Sequence, residues 1–212
     1  MEILFRIGWY SLLIGLLGDI LIPIVLVPFY KGYNPSTMTV SALGNPQSPV
    51  RIVFNLWMLL EGILILSAVP TVYNYFINAS KTLTILVVIF MSIFAVGACI
   101  LTCFFSVSET KDVVTTASKI HGAGSVIGFF AFLFVPLLIS ILEFMKSDAL
   151  VGIIAIISFA LALLFFVLFV MSDKPCFSNT IVAKEGLWQR LNILFMILPT
   201  IVISVQNIFE IR

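Results

Sequence analysis

Charge is what this sequence has least of. Of its 212 residues, 10% are Asp, Glu, Lys or Arg, where a water-soluble domain carries about 25%. Hydrophobic residues make up 61%, and mean hydropathy is +1.21. That deficit excludes a cytosolic globular protein. The net charge of +1 leaves no basic field for nucleic acid and no polybasic tail for anionic lipid. Histidine occurs once, at His121, and cysteine three times, at Cys99, Cys103 and Cys176. So small a set excludes a zinc site of ordinary type and a bis-histidine haem within the chain, and no cofactor or metal is expected. Cys99 and Cys103 lie one helical turn apart in an apolar run, which suits packing. Cys176 falls in a loop, so the three form no disulfide framework.

What is abundant is apolar sequence in long runs. Six spans read at about 8–29, 52–75, 82–105, 120–142, 150–171 and 189–209, each near the ~20 residues that cross ~30 Å of hydrocarbon. In lipid each must be a helix, because its backbone has to satisfy its own hydrogen bonds. The expectation is an all-α polytopic membrane protein, six transmembrane helices in one bundle, with residues 1–212 as a single domain. The first run is too long for a signal h-region, contains Asp19 and lacks a small-x-small cleavage site, so it reads as a span. Spans one, two, four and six carry Pro23, Pro70, Pro136 and Pro199, which can kink helices. Span five, "VGIIAIISFALALLFFVLFVMS", reads as a lipid-facing helix. Span three reads similarly, with Gly97 for close packing.

Long connections follow spans one, three and five; short ones, "FINASK" and "EFMKSDA", follow spans two and four. All long loops therefore share one side, and both termini the other. The terminal side holds Arg6, Lys81, Lys146 and Arg212. The long-loop side holds Lys31, Arg51, Lys111, Lys119, Lys174, Lys184 and Arg190. A literal positive-inside count puts the termini outside. Arg51, Lys119 and Arg190 sit at span entrances, however, and without them the sides tie at four each. The orientation adopted places the termini in the cytoplasm of a prokaryotic cell membrane.

Two runs carry a deep carboxylate, Asp19 and Glu61. A charged group at a helix centre costs about 2.5–3.5 kcal/mol on insertion scales, so such residues usually face a protein-lined polar cavity. Both lie roughly 15 Å from the long-loop end of their spans, at 1.5 Å per residue. Gly8, Ser11, Gly15 and Asp19 form a small, polar stripe on span one, while Arg51 and Asn55 share a face of span two above Glu61. His121 opens span four in "KIHGAGSVIGFF", with Ser125 and Gly128 on its face. It suits a general base, a pH-sensitive ligand or a hydrogen-bonding cap. Span six opens with "EGLWQRLN", where Trp188 suits the interface, Gln189 and Asn192 share a face, and Arg190 can hold an anion or snorkel. The first long loop, "NPSTMTVSALGNPQSP", is rich in turn residues, and its "MTVSALG" is apolar enough to dip back and cover a cavity between spans one and two. Ser41 lies there as a candidate nucleophile, without the G-x-S-x-G elbow. "NAS" at Asn78 matches a glycosylation sequon on the side read as cytoplasmic.

The loop Ser41-Ala42-Leu43-Gly44 after span one, His121 opening span four and Gly186–Arg190 opening span six together resemble the prokaryotic six-span membrane family called domain of unknown function 998. That family is thought similar to eukaryotic proteins of the DRAM and Sfk type, which act around lipid membranes. The resemblance covers nearly the whole chain. It implies six helices and a polar site on the long-loop side, and it supplies no reaction.

Three functions fit these residues. The first is a lipid or small-amphiphile binding protein, its pocket lined by Asp19, Arg51, Asn55, Glu61, His121, Gln189 and Arg190; polar groups converging in an apolar concavity are the usual ligand-site pattern. Membrane lipid is then its partner. The second is a membrane-embedded lipid acyl-transferase or hydrolase, with His121 as base, Ser41 or water as nucleophile and Arg190 on the anion. The third is a proton-coupled transporter using Asp19 and Glu61, although no inverted repeat is visible. A purely structural role, locking helices to one another or to a partner, competes with all three.

Overall fold

The computed structural model describes residues 2–108 and 113–210, with side chains from 6 to 209. Lys111 and Arg212, which enter the charge count, lie outside them. All regular structure among the described residues is helical. Helix α1 runs Glu2–Leu26 and tightens into a 3₁₀ turn at Val27–Phe29, where Pro28 cannot continue the ladder. Helix α2 is Arg51–Phe76. Helix α3, Lys81–Phe104, is α-helical to Phe94, widens to a π turn at Ala95–Ile100 and closes with one α turn. Helix α4, Thr116–Met145, is broken at Phe134; α5 is Ala149–Met171 and α6 Glu185–Glu210. Six helices are long and apolar enough to cross a membrane, as expected.

Polar side chains at the helix starts satisfy otherwise unpaired N–H groups. Ser80 accepts from Leu83 N and Asp148 from Val151 N at 3.1 Å. Thr115 and Ser118 form a reciprocal capping box at 3.0 and 2.9 Å. Such caps mark the starts of α3, α4 and α5.

Each helix packs on its sequence neighbours, and α6 closes on α1, so the six form a ring. Two departures from regular geometry shape it. At the α3–α4 contact, side chains are dispensed with: a Cβ on Gly97 would stand 2.7 Å from the Gly124 carbonyl oxygen, and one on Gly128 would stand 2.8 Å from the Ala98 Cβ. Small residues let backbones approach this closely where lipid offers no hydrophobic drive. At Phe134 (φ −87°, ψ −8°), just ahead of Pro136, the ladder of α4 is interrupted. The second half packs on α5, where Ser140 donates to the Gly152 carbonyl at 2.8 Å. The first half stays with α3 and touches α5 little. A gap opens between α4 and α5 on the long-loop side.

Helix α5 is 17% buried over its apolar window, in keeping with a lipid-facing helix. Helix α3 does not match it: 44% of its window is buried, because the π turn and Gly97 bring α4 against it.

Candidate functional site

The gap leads into a cavity of about 430 Å³ in the long-loop half of the ring, with wall residues from all six helices and the first loop. Its polar groups are Asp19 of α1, Thr39 and Ser41 of the loop, Thr102 of α3, His121 and Ser125 of α4 and Gln189 of α6. The remaining wall is apolar, with Phe54, Met58, Phe94, Phe129, Phe166 and Phe169 prominent. At the α4–α5 rim stand Val126 and Val170, 66% and 50% exposed. These exposed apolar side chains lie on the outer faces of two spans.

The roof is the first loop. Its Val40–Gly44 turn buries Val40 and Leu43, the latter completely. Three contacts fasten it to the start of α6. Gln189 Oε1 accepts from Val40 N at 2.7 Å, and Leu187 N donates to the Ser36 carbonyl at 3.0 Å. Arg190 Nη1 donates to the carbonyls of Pro35 (2.7 Å), Met38 (3.1 Å) and Gly186 (2.9 Å), and its Nη2 to the Tyr33 hydroxyl. Burial pushes the Tyr33 phenol above its usual 10.0, against the pull of the Arg190 charge. It therefore keeps the proton that it donates to the Thr39 carbonyl at 2.9 Å. Gly186 carries no side chain because the Pro35 and Met38 carbonyls occupy that space.

Inside the cavity, most polar groups already have partners. His121 Nδ1 lies 2.8 Å from the Phe105 carbonyl, one of the acceptors left open at the end of α3. In a neutral ring that nitrogen carries the proton. Thr102 donates back to the Ala98 and Cys99 carbonyls at 2.6 and 2.9 Å. Ser41 Oγ pairs with Thr39 Oγ1 at 3.1 Å, not with His121. Asp19 differs: it is 6% exposed, and its Oδ2 has no hydrogen-bond partner among the described residues.

Glu61 sits behind Asp19, close enough to feel its charge, and is fully buried. Neither of its oxygens makes a hydrogen bond of ordinary geometry. The Trp57 indole N–H and the Cys99 thiol are its polar neighbours. Trp57 reaches there because Gly18 has no side chain: a Cβ would meet the indole ring.

Of the residues read from sequence, Asp19, Ser41, His121 and Gln189 thus meet at one cavity, with Glu61 just beyond its wall. Arg190 is engaged with the loop. Arg51 and Asn55 line a separate outer groove of about 280 Å³ with Cys103 and Phe104. The Asn55 amide also lies against Gly44, where a Cβ would come within 2.5 Å of its oxygen. Thr102, Trp57 and Gly122 were not singled out by the sequence. Thr102 had a signal, as a hydroxyl in an apolar span one turn from its end. Glu143, read as part of a short loop, is instead a fully buried residue of α4, 3.4 Å from Lys146, whose ammonium lies 3.3 Å above the Tyr75 ring. Its i, i+3 spacing from Lys146 was the available clue.

A ring of six apolar helices around a partly polar cavity defines the class, an integral membrane protein of polytopic α-helical type. A family model described as "Protein of unknown function (DUF998)" matches residues 13–206, and the chain belongs to that family. No curated protein and no solved structure matches the chain.

Proposed function

We propose that the cavity binds or handles a lipid or small amphiphile, admitted from the bilayer between α4 and α5. The observation that carries this reading is the cavity's α4–α5 wall, where exposed Val126 and Val170 stand, with Asp19 among the polar groups inside. A chain passing that rim stays in hydrocarbon while its head leaves it. The volume suits a head and the start of one chain, since it lies near the lower end of the ~300–1,000 Å³ typical of ligand pockets. The acyl-transferase or hydrolase reading draws less support, because Ser41 and His121 are each engaged elsewhere. The transporter reading retains the adjacent Asp19 and Glu61. We also infer that the termini are cytoplasmic, so that the roof loop faces outward.

Gly122 provides the test. It lines the cavity, and a Cβ there would meet nothing within 4 Å. The Cβ of Gly122→Phe has room there and its ring is expected to obstruct the cavity, and replacing a helical glycine favours the helix by up to ~1 kcal/mol. Lipids co-purifying in mild detergent are identified by mass spectrometry. A defined lipid retained by the wild type and lost from a folded Gly122→Phe variant is expected. Equal retention by both overturns the proposal.

A further inference from the structure

Resting on that reading, the chemistry of the cavity narrows the head group. Among the described residues, its only ionisable wall residues are Asp19 and His121, and no lysine or arginine lines it. Of the cations nearby, Arg190 points its donors at two loop carbonyls, the Gly186 carbonyl of its own helix and the Tyr33 hydroxyl, and Lys119 lines a separate pocket beside Ser41. Glu61 adds a second carboxyl behind the first. An anionic head would thus meet carboxyl oxygens and no counter-charge, which is the costly arrangement for a desolvated ion.

A head that donates protons meets the opposite situation. Asp19, nine-tenths buried, lines the cavity, and its Oδ2 has no hydrogen-bond donor among the described residues. The apolar wall supplies phenylalanine rings, whose faces attract cations. We propose that the site takes a single-chain amphiphile with an ammonium head, its N–H groups donating to Asp19 and its chain leaving between α4 and α5.

Three probes with one tail isolate the head: dodecylamine, dodecanol and dodecyl phosphate. Each is offered to the full chain in non-ionic detergent, and the bound fraction is read by native mass spectrometry. The amine is expected to bind at least about tenfold more tightly than the other two, the scale of one charge-assisted hydrogen bond. Asp19→Asn is expected to erase that preference. Wild-type selectivity alone keeps the test decisive should the variant fail to fold. If the phosphate or the alcohol binds as well as the amine, the ammonium assignment falls while the cavity reading stands. An unchanged amine preference in folded Asp19→Asn likewise overturns the assignment. If no probe binds, or Gly122→Phe binds all of them as the wild type does, the cavity reading falls and takes the assignment with it.

Discussion

Arg190 shows how one side chain can set the position of a whole loop. Its planar guanidinium donates to three carbonyls and a phenol drawn from the roof and its own helix. A lysine offers a point charge without that fork. Arg190→Ala is expected to lower stability by about 2–3 kcal/mol, since hydrogen bonds to a charged group contribute ~1.5–3 kcal/mol and are not additive. Thermal unfolding in detergent, with protease cleavage within residues 30–50, measures it; unchanged cleavage would mean the loop is held otherwise. Arg190→Lys should recover less than half of the loss. The sequence marked Arg190 as polar at a span entrance but was silent on its loop partners, which lie 152 to 157 positions away in the chain. A long side chain reaches in any direction, so Arg51 and Arg190, similar on paper, end in different places. Asp19 was legible for the opposite reason. It is short and deep in an apolar helix, and lipid leaves such a group few places to face.

At the scale of the helix, the bilayer makes existence easy to read and orientation hard. A run of ~20 apolar residues has one solution in lipid. Which face it buries is another matter, since lipid tails are as apolar as a protein core and no polar stripe declares the outside. That is why α3 passed for a lipid-facing helix. The information lay in Gly97, Gly124 and Gly128, whose backbones touch or nearly touch across the α3–α4 seam. Gly124→Val should therefore cost about 1–3 kcal/mol by overpacking, visible as a lower unfolding temperature in detergent. Val at Gly122, two residues earlier and facing open space, is the matched control and should leave that temperature nearly unchanged. The break in α4 was half legible: Pro136 announced a kink, but only packing of the two halves on α3 and α5 made it a doorway.

The whole ring places its roof, both its longer 3₁₀-containing loops and the polar end of its cavity on one side. Which side of the cell that is follows weakly from charge, because the loop cations split between structure and surface. Cys176 offers a direct reading. It is exposed in the loop between α5 and α6, whereas Cys99 is buried and Cys103 half-buried. With the termini cytoplasmic, a membrane-impermeant maleimide should label intact cells through Cys176, and Cys176→Ser should abolish the label. Labelling only after the membrane is opened would reverse the orientation.

The π turn at Ala95–Ile100 has a consequence for how such a chain can vary in length. A π turn is an α-helix holding one residue more than it requires. In a regular span such as α5, losing one residue turns everything beyond it by about 100°, exchanging lipid-facing and buried positions. Here the surplus residue absorbs the change. A one-residue deletion within 95–100 is expected to restore regular winding and leave both flanks in phase, keeping Met91 toward the core and Thr102 at the cavity wall, where they now stand. Within α3, this stretch is a natural place for related sequences to differ by a single residue.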